Sequence, residues 1–216
     1  MILDIHHHGE LSSEAVTSFS VEEAIPEGEG YVSVGIHPWK IFNPLDFVAL
    51  ESKLSDPRVV AIGECGIDRM RGEKVELQKR IFEVQAQMSE RHGLPLIIHA
   101  VKSADILIPL RKRMSPTMPW ILHGFRGKPG LAQQLLNSGF YISIGEKFNP
   151  DTVRIIPDTH LLLETDTSEY DIRQIINTIA VVREQEPEYV ADVVAKNIYA
   201  CLNVTDVKIP NRSAKL

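Results

Sequence analysis

An irregular TIM-like (β/α) barrel is the fold this sequence predicts, on three observations. Eight short apolar segments rich in β-branched residues recur along the 216-residue chain: MILDIHH, AVTSFS, YVSVGIH, RVVAIGEC, LPLIIHAV, PWILHGF, FYISIG and HLLLETD. Helix-like segments alternate with most of them, which implies parallel pairing through crossover connections. The apolar runs are nearly continuous, as in strands whose sheet is covered on its outer face.

The first segment runs directly into His6, His7 and His8, and only the polar stretch Gly9 to Ser13 separates it from the second. That stretch is too short for a crossover helix, so a shortened first crossover makes the barrel irregular there. The clearest helix is KVELQKRIFEVQAQMSERHG. Its Leu77, Ile81, Val84 and Met88 form one stripe at helical spacing, and Gly93 supplies the stop. Residues 128–138, 172–182 and 188–201 read as further crossover or closing helices. There is no internal repeat, low-complexity tract or linker. The expectation is one barrel domain over residues 1–206, followed by a frayed tail, 207–216, with little to bury.

Apolar content of 44% and charged content of 24% are ordinary for a globular protein and argue against disorder or a fibrous architecture. The longest apolar runs fall far short of the roughly 20 residues a bilayer-spanning helix needs, so no membrane span is expected. The N-terminus lacks the basic, apolar and small-residue pattern of a secretory signal. Cys65 and Cys201 lie far apart and outside any CxxC pattern, against a disulfide framework or a cysteine zinc site; the cytoplasm is the expected location. A formal net charge of −6 opposes a broad basic face for duplex binding but leaves room for a local basic rim.

Side chains alternate across a strand, so His6 and His8 project from one face of the first strand and His7 from the other. Their place at the end of an apolar run argues against a tag fragment. The same arrangement recurs where Glu64 ends VVAIGE, His99 ends PLIIH, His123 ends PWILH and Asp166 ends LLLETD. In a parallel barrel such strand ends meet at one mouth, so residues remote in sequence converge. Ionisable groups on apolar strands are costly unless paired or metal-bound. Imidazole and carboxylate without thiolate suit Zn, Mn, Fe or Ni, and a carboxylate bridge also admits Mg.

In order along the chain stand DIHHH at Asp4 to His8, VGIHPW at Val34 to Trp39, IGECGID at Ile62 to Asp68, PLIIH at Pro95 to His99, LHGFRG at Leu122 to Gly127 and LLLETD at Leu161 to Asp166. With these motifs the sequence resembles the TatD-type metal-dependent DNases of the amidohydrolase superfamily. The resemblance implies one or two divalent cations. His6, His8 and Asp166 would hold the first, His99 and His123 the second, with Glu64 between them. It further implies DNA or another phosphodiester as substrate. Two cations about 3.5–4 Å apart can lower the pKa of a shared water and stabilise both attacking and leaving oxygens. Asp166 and Glu64 are the expected catalytic residues, Asp166 orienting or deprotonating the water. His37 matches a family position near the substrate phosphate, with Pro38 fixing its loop.

The chain also departs from that pattern. Where the family commonly has an arginine after the PLIIH histidine, Ala100, Val101 and Lys102 follow, and Lys102 offers only a point charge. Arg126 stands where a small residue is usual, and Thr167, Ser168 and Glu169 replace a proline-containing loop. His37, Lys102 and Arg126 are the expected substrate-binding residues. Glu164 and Asp4 read as partners that orient ligand histidines, and Cys65 as a packed, inert thiol. The basic run Arg111 to Arg113 fits a helix end flanking the mouth or a solvated face. Trp39 could stack on a base or belong to the rim; His92 complements a helix end, and His160 carries no usable pattern. The alternatives are esterase, lactonase or amidase activity on the same centre, or a metal-binding protein without turnover.

Overall fold

The structure is a computed structural model and describes residues 1–202; the tail at 207–216 and the last residues of the expected domain lie outside the described residues. Eight strands, β1 (Asp4–His7), β2 (Ala15–Ser20), β3 (Tyr31–Gly35), β4 (Val59–Asp68), β5 (Leu96–Val101), β6 (Trp120–Leu122), β7 (Tyr141–Ile144) and β8 (Leu161–Leu163), pair in parallel in sequence order. A parallel bridge between His7 and Asp166 joins the two ends, with the Asp166 amide donating to the His6 carbonyl (3.0 Å) and the His8 amide to the Asp166 carbonyl (3.1 Å). The barrel thus closes at the metal-ligand candidates themselves.

Among the described residues, seven α-helices surround the sheet: α1 (Leu45–Lys53), α2 (Val75–His92), α3 (Ala104–Met114), α4 (Pro129–Asn137), α5 (Pro150–Ile155), α6 (Ile172–Arg183) and α7 (Pro187–Leu202). No helix follows β1, as expected, and none follows β2 either, where residues 21–30 return as turns. Residues 8–14 span at most about 23–25 Å when extended, enough to return beside the four-residue β1 but not to wind a helix as well. None of the described helices is long and apolar enough to cross a membrane.

The inward face of α2 differs from the predicted stripe. Ile81 and Met88 are buried, but Leu77 and Val84 are only half-buried, and Gln78, Phe82 and Gln85 share the buried face. The glutamines tolerate burial because their amides satisfy backbone groups. Gln85 accepts from the Ile36 amide (2.8 Å) and donates to the Ile36 carbonyl (3.1 Å). Gln78 accepts from the Asp68 amide (2.7 Å) and donates to the carbonyls of Asp68, Arg71 and Glu73. One helix face thus pins the ends of β3 and β4. Below it, Phe82, Trp120 and Phe140 stack edge to face, with centroids 5.1 and 5.8 Å apart.

Pairing registers slip by one residue between Asp4 and His7 on β1 and between Ile62 and Cys65 on β4. Such bulges turn side chains at barrel rims, and here they flank His6 and Glu64. Gly66 follows at φ +144°, where a Cβ would run into the His99 carbonyl, so the GECG motif lets β4 and β5 approach closely beside the site.

Candidate metal centre

The two oxygens of the Glu64 carboxylate face different imidazoles. Oε2 lies 3.4 Å from His6 Nε2 and 3.4 Å from His8 Nε2. Both nitrogens are also 3.8 Å from Asp166 Oδ1. Oε1 lies 3.4 Å from His123 Nε2, 3.3 Å from His37 Nε2 and 3.9 Å from His99 Nδ1. All six predicted ligands therefore meet at one mouth, around Glu64. His7 points away, its Nδ1 3.1 Å from the Thr165 hydroxyl, as alternation requires.

The donor set fits divalent cations. His6 Nε2 and His123 Nε2 are buried without a hydrogen-bond partner, although each faces carboxylate oxygen. Leaving such atoms unpaired would cost roughly 1–3 kcal/mol each. Two donors about 2.1 Å from one ion in a tetrahedral arrangement stand about 3.4 Å apart, the separation found here. His6, His8 and Glu64 form one compact donor group, His37, Glu64 and His99 a second, and His123, Glu164 and Asp166 a third.

Hydrogen-bond partners assign the ring nitrogens. Asp68 Oδ2 lies 3.1 Å from His99 Nε2 and also accepts from the Trp39 indole (2.6 Å), leaving the His99 Nδ1 lone pair toward Glu64. For His123 the orientation rests on charge alone: Glu164 Oε1, which accepts from the Gly124 amide, lies 3.6 Å from His123 Nδ1, beyond hydrogen-bond distance, and His123 Nε2 faces Glu64. Carboxylates behind ligand histidines fix their tautomer and raise their basicity in this way. His37 is the exception. Its Nδ1 accepts from the Trp39 amide (3.1 Å), so the neutral ring carries its proton on Nε2 and presents a donor, not a lone pair. Although His37 clusters with Glu64 and His99, this tautomer removes it from the ligand set.

Burial pushes the Glu64 carboxyl up, but His123, His37, His6 and His8 together outweigh it and hold Glu64 well below the carboxylate range. Burial alone would depress His123, yet Glu164 and Glu64 lift it to about 10. Glu64 likewise raises His8, whereas burial and the neighbouring His123 lower His6. Asp4 behaves differently from its expected role: its carboxylate accepts from the His6 amide, the Thr165 amide and the Thr165 hydroxyl. It fastens β1 to the end of β8 instead of touching the His6 ring.

A cleft of about 820 Å³ opens over the centre, lined by His37, Trp39, Lys102, Phe125, Arg126 and Asp166 among others. Asp166, at φ +52°, is less buried than Glu64 and borders this cleft. Lys102 and Arg126 are both exposed at its walls. Trp39 is 45% exposed and sandwiched between Arg71, 4.6 Å from its centroid, and the edges of His37 and His99. The Arg111–Arg113 run does not reach the mouth. It ends α3 at the opposite end of the barrel, where Arg111 binds the Ser138 carbonyl ahead of β7 and Arg113 pairs with Glu83, because a crossover helix runs antiparallel to its strands. His92 pairs with Glu51 of α1 (2.7 Å), and His160 stacks on Tyr141. Cys65 is fully buried, and burial pushes its thiol up. Asp68, Gln78 and Gln85 went unassigned in the sequence; only the GExGxD spacing offered a signal, and only for Asp68.

Comparisons with known proteins agree with this arrangement. The profile of the TatD related DNase family matches residues 11–203. The chain is 31% identical over 181 residues to a TATDN1 homologue of Enterocytozoon bieneusi, covering 74% of this chain and 65% of that protein. It is 28% identical over 176 residues to a 3'-5' ssDNA/RNA exonuclease TatD of Klebsiella pneumoniae, covering 76% and 66% respectively. The crystal structure of YjjV, a TatD homologue of Escherichia coli, superposes with a TM-score of 0.80 at 21% identity, over 94% of this chain and 98% of that one. With the family profile spanning nearly all described residues and the barrel shared with a solved homologue, this chain belongs to the TatD related DNase family.

Proposed function

We propose that this chain is a metal-dependent phosphodiesterase that cleaves nucleic-acid strands, with its centre held by His6, His8, Glu64, His99, His123 and Asp166. The observation that carries the reading is the division of Glu64, whose two oxygens face separate groups of imidazoles beneath a cleft with cationic walls. His6, His8 and Asp166 with Glu64 Oε2 would hold one cation; His99 Nδ1, His123 Nε2 and Glu64 Oε1 would hold the other. Relatives bear names that fit: one is called a 3'-5' ssDNA/RNA exonuclease and another a metal-dependent hydrolase.

When bound, the cations supply Lewis acidity, lowering the pKa of water and withdrawing charge from phosphate oxygens. The residues do the rest. Asp166, at the cleft edge, would take a proton from the water whose oxygen bonds to phosphorus as the P–O ester bond breaks, and the departing oxygen would leave as an alcohol after taking a proton from solvent. His37 donates from Nε2 to a phosphate oxygen, while Lys102 and Arg126 add positive charge from the walls in place of the usual arginine. The same reading makes the chain one barrel domain over 1–206 and places it in the cytoplasm, which two buried, unpaired cysteines support.

Hydrolysis assays at saturating Zn, Mn, Fe, Ni or Mg test the proposal. Cleavage of single-stranded DNA or a bis-aryl phosphate is expected. Turnover of neutral esters or lactones alone would move the chain to the esterase alternative, and full metal occupancy without any hydrolysis would make it a binding protein. His37→Ala is expected to keep its metal and lose rate; loss of metal would return His37 to the ligands.

A further inference from the structure

Beside the main cleft lies a second pocket of about 90 Å³, between the loops that follow β6, β7 and β8. Its walls include Arg126, Lys147, Glu146, Thr167 and Ser168, and it shares Arg126, Thr167 and Asp166 with the cleft over the metal centre. Arg126, from the loop after β6, and Thr167 and Ser168, from the loop after β8, therefore meet here. Lys147, which follows β7, joins them in space alone.

Five charged side chains line this pocket, the cations Arg126 and Lys147 and the carboxylates Glu146, Glu164 and Asp166. Among the described residues, neither the Arg126 guanidinium nor the Lys147 ammonium hydrogen-bonds or ion-pairs with a protein group, and both are exposed. Glu146 is half-buried and engaged, its Oε2 accepting from the Ser168 hydroxyl at 2.8 Å. Glu164 faces His123 and Asp166 faces His6 and His8, so neither neutralises the two cations. The volume is ample for a single phosphate group. Gly145 lies buried in the wall, where a Cβ would stand 3.4 Å from Glu164 Cγ.

We infer that Arg126 and Lys147 form a subsite for the phosphate next to the scissile one, so that the protein prefers strands carrying at least two consecutive phosphodiesters. This rests on the phosphodiesterase reading of the main cleft. Lys147 contributes charge at a site whose lining also includes Asp166 and Glu164, both members of one donor group that could hold a cation.

The test compares TpT, with one phosphodiester, and TpTpT, with two. Affinities are measured calorimetrically at saturating metal in Asp166→Asn protein, which slows cleavage, with and without Lys147→Ala. The trinucleotide is expected to bind roughly tenfold more tightly than the dinucleotide, in line with one charge-assisted contact. Lys147→Ala should cut that ratio severalfold, Arg126 remaining, and Lys147→Arg should retain most of it. The salt dependence of TpTpT binding should also fall by about 0.7 in log–log slope. A ratio that Lys147→Ala leaves unchanged would overturn the subsite. Cleavage by protein with Asp166 intact is followed separately: a Lys147-dependent ratio without any cleavage would keep the subsite and sink the phosphodiesterase reading.

Discussion

Asp68 Oδ2 stands 3.1 Å from His99 Nε2, while the opposite nitrogen of that ring, Nδ1, faces Glu64 Oε1 at 3.9 Å. The Trp39 indole and the Met70 amide hold the same carboxylate, and Gln78 anchors its backbone. A carboxylate fixed on three sides sets both the tautomer and the angle of a ligand imidazole. Asp68→Asn is therefore expected to weaken metal binding by about 10–100-fold with little loss of thermal stability. Competition with a chelator measures it, and undiminished affinity would free His99 from this dependence.

Metal uptake should release protons. A ligand imidazole must be neutral, yet Glu164 and Glu64 overcome burial to hold His123 at about 10 in the metal-free protein, and Glu64 raises His8 as well. A raised pKa means that protons compete with metal at every pH below it, so apparent affinity should climb as pH rises from 6 to 8, by about one log unit per pH unit for each proton displaced. Calorimetry in buffers of different ionisation enthalpy should find at least one proton released at pH 7. No release would mean that His123 is already neutral there.

Gln85 ties the interior of α2 to both backbone groups of Ile36, the residue before His37. Gln85→Leu keeps approximate volume and strands a buried amide and carbonyl, which costs about 2–3 kcal/mol. Denaturant unfolding should show that loss. Turnover of the folded variant should fall as well, through displacement of His37, whereas wild-type turnover would dissociate the helix from the site.

Asp166 is the residue that separates catalysis from assembly. Asp166→Asn keeps an oxygen donor and much of the shape while removing the base. Single-turnover hydrolysis at verified metal occupancy should drop by about 10²–10⁴-fold, or ~3–5 kcal/mol of barrier. Affinity for a non-reacting analogue should stay within a few-fold, because the ground state does not use the base. Near-normal hydrolysis would defeat the catalytic role.

Much of the site was legible because its candidate ligands end apolar strands. His6, Glu64, His99, His123 and Asp166 each interrupt a hydrophobic run, and parallel topology carries such ends to one mouth. The buried amides of α2 were not legible. At helical spacing Gln78 and Gln85 look like a polar face, and only the backbone groups of Asp68 and Ile36 arriving from β4 and β3 make their burial favourable. The Arg111–Arg113 run left two readings open, and the structure favours the solvated one: charge density along the chain carries no information about which end of the barrel a crossover helix reaches.

By itself, the sequence determined the barrel, its shortened first crossover and the six candidate ligands, since periodicity and residue chemistry are local properties. Tertiary structure alone decided how they act together. Glu64 divides its two oxygens between histidines from four strands and loops, an arrangement created by closure at His7 and Asp166 and by bulges beside His6 and Glu64. The proton of His37 is placed by the turn that brings the Trp39 amide against Nδ1, and Lys147 joins Arg126 because the loops after β6 and β7 lie side by side. These outcomes depend on distances between groups far apart in the chain, which packing sets.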